Sequence, residues 1–362
     1  MESIFKGLSR RDFLKYCASI AAMLGLSEIY VPQIAAALEE AAKGKPPVIW
    51  MQGQSCAGCT VSFINSREPT PAELVLDILS VRFHPNIMAA AGDVALNAIE
   101  TTMEEAKGKY VYIFEGALPT AEEGRFCEIG ETSAVDWVKK VAKDAHAVIA
   151  IGACASFGGI PAANRETTGA SSVQDILGTP VVKIPGCPAH PDWVIGTVVK
   201  LLLFGKDAVL DGLDKYGRPK EFYGTLIHDN CPRRHWFEAG KFVEDFNDPE
   251  QANYCLLLKG CKGPFTYADC PKRKWNSGTN FCIDANAPCQ GCTQPEFYAK
   301  FSPLYEKLPE IGIPGIAGYE VSADTIAKVL GIVTAAGIGL HLVGQIATGR
   351  LGKGGPPERG EK

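Results

Sequence analysis

The chain has almost no excess of charge of either sign: 36 lysines and arginines stand against 41 aspartates and glutamates, a net −5 at pH 7 in 362 residues. With a pI near 5.8, it has no basic surplus to hold a nucleic-acid backbone, and its charge specifies no partner. It lacks the C-x2-C-x2-C-x3-C run of bacterial ferredoxins, so it contains no inserted ferredoxin module. The loops Gly152-Ala153-Cys154 and Ser156-Phe157-Gly158-Gly159 have neither G-x-G-x-x-G nor a Walker lysine, which disfavours nicotinamide and ATP. The C-x2-C knuckles that structural zinc sites use in pairs are also scarce. Only Cys56/Cys59 and Cys289/Cys292 have that spacing.

Cysteine is what the chain has in quantity. Eleven of its 13 cysteines and one histidine make twelve candidate iron ligands, enough for three four-iron clusters with four protein ligands each. In order they are Cys56, Cys59, Cys154 and Cys187; then His228, Cys231, Cys255 and Cys261; then Cys270, Cys282, Cys289 and Cys292. Cys17 and Cys127 are left over. Disulfides and zinc remain alternatives on spacing alone, but a chain of this length, 46% hydrophobic, can bury a core without disulfide staples. A chain built around three clusters is most simply an electron conduit.

The N-terminus reads as an address. Ser9-Arg10-Arg11-Asp12-Phe13-Leu14-Lys15 fits the twin-arginine export signal, with an apolar stretch from Tyr16 to Ile34 and the small-residue run Ala35-Ala36-Ala37 behind it. Residues 1–37 are therefore expected to be a signal peptide, with Cys17 leaving in it; an amphipathic first helix is the alternative. Twin-arginine export carries folded proteins, which suits clusters assembled before the membrane is crossed.

Apolar runs at Val48–Met51, Tyr110–Phe114, Ala147–Ile151 and Val181–Ile184 alternate with helical segments such as Thr132–Ala145. That pattern predicts α/β with a parallel sheet covered on both faces. Cys56 and Cys59 follow the first run, Cys154 the third and Cys187 the fourth. Open α/β sheets bind ligands beyond the carboxyl ends of their strands, so these four thiols should converge there. Glycines beside them let the backbone turn tightly and approach a cluster. From about Gly205 the strand periodicity fades around closely spaced cysteines, and metal binding would supply the missing cohesion. His228-Asp229-Asn230-Cys231 enters because the second site falls one ligand short without it.

These residues resemble the small subunit of nickel–iron hydrogenases over nearly the whole chain. The matching motifs are Cys56-Ala57-Gly58-Cys59-Thr60, Glu115-Gly116-Ala117-Leu118-Pro119, Gly152–Gly159, Pro185-Gly186-Cys187-Pro188, His228-Asp229-Asn230-Cys231-Pro232-Arg233-Arg234 and the block Cys270–Cys292. The resemblance implies a flavodoxin-like domain at 46–204 carrying a proximal cluster on Cys56, Cys59, Cys154 and Cys187. It implies a loop-rich domain at 205–315 with a distal cluster on His228, Cys231, Cys255 and Cys261. A medial cluster on Cys270, Cys289 and Cys292 would lie between the two. Many relatives have proline where this chain has Cys282 and bind a three-iron medial cluster. Cys282 restores a fourth thiolate, as in the nickel–iron–selenium branch, and favours 4Fe-4S over 3Fe-4S. Oxygen-tolerant relatives carry two extra cysteines where Gly58 and Gly159 stand here, so the proximal cluster should be an ordinary cube.

The implied function is electron transfer within an exported respiratory uptake hydrogenase. Hydrogen is split in a separate large subunit, and no catalytic residue lies in this chain. The external acceptor would be a cytochrome b or a multihaem cytochrome c; a stand-alone iron–sulfur carrier or redox sensor is the alternative. Residues 322–349 are expected to form a membrane-anchor helix, since Ile326–Ile346 is nearly all apolar and Arg350, Lys353, Arg359 and Lys362 follow. Docking of an amphipathic helix on the large subunit is the competing reading. The predicted location is the periplasmic side of the cytoplasmic membrane.

Overall fold

Short apolar runs bounded by glycine or proline become the strands of one parallel sheet. The computed structural model describes residues 10–66, 70–73, 79–308, 311–312, 320–321 and 323–348. Strands β1 (Pro47–Gln52), β2 (Ser80–Phe83), β3 (Val111–Glu115), β4 (Ala147–Ile151) and β5 (Val182–Ile184) lie in the order β2-β1-β3-β4-β5. Every neighbouring pair is parallel. β3 is buried at each position, as a central strand with both faces covered must be. The order is that of flavodoxin-like doubly wound sheets. The sequence pattern foresees four of these strands. β2 escapes it because Ser80-Val81-Arg82-Phe83 is an edge strand whose arginine is exposed.

Among the described residues the longer helices are α1 (Arg10–Met23), α2 (Val31–Gly44), α3 (Gly58–Ile64), α4 (Gly92–Glu105), α5 (Ala134–Ala142), α6 (Gly152–Phe157), α7 (Pro191–Asp211) and, separately, α8 (Ala323–Ala347). α5 starts where Ser133 Oγ accepts a hydrogen bond from the Asp136 amide at 3.1 Å, an N-cap that stabilises a helix by about 1 kcal/mol. Its inward face is Trp137, Val138 and Val141. One hydrophobic core joins Trp50, Ile113 and Ile149 of the sheet to Trp193, Val194 and Val198 of α7, and continues into Phe222, Leu256 and Phe281. The packing thus runs on past Gly205, where α7 merely kinks at φ 77°.

α1 and α2 form a hairpin that buries Cys17, Ile20, Ala21, Leu24, Ile34 and Leu38 in that same core. In the full-length chain the expected signal segment is thus folded onto the body. Ser9 of the twin-arginine motif, and Arg350, Lys353, Arg359 and Lys362 of the basic tail, lie outside the described residues. The chain divides into a unit ending at Lys307 and a second beginning at Leu308. In the second, α8 has 20 residues, Lys328–Ala347, apolar enough and long enough to cross a bilayer. Its valines, leucines and isoleucines are exposed, and Gln345 Nε2 lies 3.0 Å from His341 Nε2 one turn away.

Candidate metal centres

The first four thiols gather where the sheet's strands end. Cys56 sits in the turn after β1, and Cys59 in the first turn of α3, entered through Ala57 at φ 57°. Cys154 lies in α6 directly after β4, and Cys187 just past β5. Hydrogen bonds tie these loops together: the Ala153 amide donates to Gly186 O at 2.7 Å, and Ser62 Oγ donates to Ala189 O at 2.7 Å. Burial lifts the Cys59 thiol well above its usual range, with Glu115, Cys154 and Cys187 adding to the effect. Burial likewise pushes Cys154 up to about 12, reinforced by Cys187 and Cys56, and Cys187 is raised by burial and by Cys56. The four groups therefore feel one another's charge.

The second set lines a single cavity, in which His228, Cys231, Cys255 and Cys261 face Phe237, Leu256 and Ile283. Burial raises all three thiols, and each interacts with another of the set. Burial, and then Arg234, lower the His228 pKa, so the imidazole is held in the neutral form that ligates metal. Its ring packs edge-on against Phe237 at 4.7 Å between centroids.

In the third set Cys270 and Cys289 are buried in the core, and Cys282 is exposed. Burial raises Cys270, with Cys292, Asp269 and Cys282 adding. Cys289 is raised by burial and by Cys261 and Cys292. Cys292, pushed up to about 12 by burial, receives the Cys187 backbone amide and also feels Cys282 and Cys187. Cys292 thus touches the first set through Cys187, and Cys289 touches the second through Cys261. The third set lies between the other two.

The donor sets suit iron–sulfur clusters. None of the 13 cysteines is in a disulfide, and among the described residues no three Cys, His, Asp or Glu side chains converge closely enough for one metal ion. Thiols near enough to couple, yet too spread for one ion, fit a cube whose four corners each take a different ligand. Backbone amides turn toward the sulfurs: Ala189 N donates to Cys59 Sγ at 3.5 Å and Gly263 N to Cys261 Sγ at 3.4 Å. Such bonds favour thiolate over thiol. Space is held open too, since a Cβ added at Gly152, where φ is +84°, would lie 2.6 Å from Cys59 Sγ.

The sequence motifs included Glu115 without giving it a role. Its carboxylate is buried at the end of β3 and accepts from Trp50 Nε1 at 3.3 Å, Gln52 Nε2 at 3.0 Å, Ser55 Oγ at 3.0 Å and the Cys59 amide at 3.1 Å. It pins the Cys56–Cys59 turn to the sheet. The available signal was a lone carboxylate closing a continuous apolar strand. Of the leftover thiols, Cys17 is fully buried and raised to about 11 by burial and then Glu39. Cys127 is half-buried, packed against the core.

Residues 223–305 match the family of the C-terminal region of NiFe/NiFeSe hydrogenase small subunits. Residues 56–201 match the family "NADH ubiquinone oxidoreductase, 20 Kd subunit". The chain is 43% identical to the periplasmic [NiFeSe] hydrogenase small subunit of Desulfomicrobium baculatum over 82% of this chain and 98% of that one. It is 42% identical to the uptake hydrogenase small subunit of Azotobacter vinelandii, over 94% and 92%. A solved [NiFeSe] hydrogenase from Desulfovibrio vulgaris Hildenborough superposes with a TM-score of 0.69 at 43% identity, covering 72% of this chain and 98% of that one. With its sheet order and cysteine-bearing strand ends, the chain belongs to the small subunits of nickel–iron hydrogenases, the iron–sulfur electron-transfer halves of heterodimeric enzymes.

Proposed function

We propose that this chain carries three 4Fe-4S clusters and links the hydrogen-splitting site of its large subunit to an external cytochrome. Cys56, Cys59, Cys154 and Cys187 hold the proximal cluster. Cys270, Cys282, Cys289 and Cys292 hold the medial one, and His228, Cys231, Cys255 and Cys261 the distal one. The observation that carries this reading is the unbroken line of neighbouring ligands, from Cys56 through Cys187 and Cys292 to Cys289 and Cys261. When bound, each cluster accepts and releases one electron at a time. The chain's own groups keep water from the buried thiols, would hold iron as thiolates once their protons have left to water, and fix cluster spacing through the loops at the sheet edge.

The Cys282 thiol decides the medial cluster type. Iron analysis and EPR of oxidised, anaerobically purified enzyme should show no three-iron signal. Cys282→Pro should create that signal and raise the medial potential, because losing a thiolate removes negative charge. A strong three-iron signal in the unaltered protein would remove Cys282 from the ligand set.

Imidazole is neutral where thiolate is anionic, so His228 ligation favours the reduced distal cluster, as histidine does in Rieske centres. His228→Gly should leave hydrogen–deuterium exchange at the large subunit largely intact while electron delivery to an external dye falls sharply. Equal loss of both activities would contradict a relay role.

The twin-arginine motif and the relatives' names, periplasmic and uptake, support export to the periplasmic side of the cytoplasmic membrane. The apolar α8 supports anchoring there, beside a cytochrome b, with a multihaem cytochrome c as the acceptor should the helix dock elsewhere.

A further inference from the structure

Four formally charged side chains are buried and form no ion pair among the described residues; one, Lys183 of β5, lies over the Phe157 ring at 5.1 Å, and the other three stand directly against the thiol-bearing loops. Glu115 is 1% exposed, and every donor to its carboxylate is neutral: Trp50, Gln52, Ser55, Thr60 and the Cys59 and Thr60 amides. Lys262, also 1% exposed, follows Cys261 in sequence, and its backbone amide donates to Cys289 O at 2.7 Å. Its ammonium donates to the Glu306 carbonyl. It therefore lies where the second and third sets meet. Arg233 is 9% exposed beside Cys231 and gives Nη1 to Tyr254 O and Asn286 Oδ1, both at 3.0 Å.

Other charges near the thiols are neutralised locally. Asp269 beside Cys270 is paired with Arg273 at 2.7 Å. Asp284 is paired with Lys274 at 3.1 Å, and Arg218 with Asp214 at 2.7 Å. What remains is a buried carboxylate at the first set and buried cations at the other two, with Glu306 near Lys262 and Asp284 near Arg233. Electrostatic effects of this kind persist in a poorly solvated interior. The reduction potential of an iron–sulfur cluster follows the charge around it.

We propose that Glu115, Lys262 and Arg233 grade the reduction potentials along the relay, disfavouring an added electron at the first set and favouring it at the third and second. Electrons are thereby biased outward, from the large subunit to the external acceptor. Hydrogen oxidation in the large subunit releases two protons and two electrons; the electrons pass one at a time through this chain and reduce the haem or dye acceptor. The positioned charges favour this direction over hydrogen evolution. The inference deepens the relay reading and rests on its three clusters.

The test uses the whole heterodimer, purified without oxygen, with iron content measured alongside an EPR-monitored redox titration of each cluster. Glu115→Gln should raise the potential of the first cluster by about 59 mV, a tenfold change in a one-electron equilibrium. Lys262→Met should lower the outer potentials by a similar amount, and the charge-keeping Lys262→Arg should not. Both neutral variants should reduce the ratio of hydrogen oxidation to hydrogen evolution. Unchanged potentials at full iron content would overturn the charge gradient while leaving the relay standing. Fewer than three clusters in the unaltered enzyme would overturn the relay reading itself. Arg233→Met is the second probe: if Lys262→Met loses iron, a distal potential that does not fall in Arg233→Met overturns the proposal.

Discussion

Gly152→Val should abolish the proximal cluster. At φ +84° the backbone of Gly152 occupies a region that side chains with a Cβ rarely adopt, and the new Cβ would fall 2.6 Å from Cys59 Sγ. A free thiol could swing away, but a sulfur fixed on iron has nowhere to go. The alternative is movement of the loop after β4, which the Ala153 amide holds to Gly186 O at 2.7 Å. Left-handed strain and overpacking together cost about 2–5 kcal/mol, and the branched valine adds more bulk than a single Cβ. Anaerobically purified variant should contain about four fewer irons per heterodimer, lose the EPR signal of the cluster nearest the large subunit, and reduce dyes at near-background rates. Hydrogen–deuterium exchange, which needs no relay, should survive if the heterodimer still assembles. A full iron content would mean that Gly152 is not where the chain yields room to a cluster.

The legible part of the site was what sequence spacing encodes: which cysteines end strands, which stand close together in the chain, and which histidine shares the second set's cavity. The four strands β1, β3, β4 and β5 were legible because each is a continuous apolar run, the mark of burial on both faces. β2 was not, because an edge strand needs only one covered face and tolerates Arg82 in the open. Two other things lay beyond the sequence. The joins between thiol sets, Cys187 to Cys292 and Cys261 to Cys289, depend on how loops far apart in sequence fold over the sheet edge. The buried charges were also hidden: Glu115, Arg233 and Lys262 read as ordinary polar residues until their burial and neutral partners are known. For the N-terminal segment the sequence suggests an expected signal and does not reveal a packed hairpin, which depends on the tertiary contacts of Cys17, Ile20 and Ile34.

Truncation after Gly318 should convert the enzyme from a membrane-bound to a soluble form. It removes α8, whose 20-residue apolar span Lys328–Ala347 is long enough to cross a bilayer core. Isoleucine, leucine and valine side chains such as Ile332, Leu340 and Ile346 are more than 60% exposed. In water that surface is unfavourable at about 25 cal/mol per Å², so the helix needs lipid or a protein groove. Two polar side chains toward its C-terminal end, His341 and Gln345, face each other at 3.0 Å, which lessens the penalty of carrying them into hydrocarbon. With the cluster-bearing domains exported, the lysines and arginines after residue 349 would remain on the cytoplasmic side. The truncated heterodimer should appear in the periplasmic fraction with its dye-reducing activity intact. It should no longer reduce quinone in reconstituted membranes, because the proposed cytochrome acceptor would have lost its neighbour. Full-length enzyme that washes off membranes in carbonate would sink the anchor reading and make α8 a docking element for another protein, whose removal should then disrupt the heterodimer or its coupling to a soluble cytochrome c.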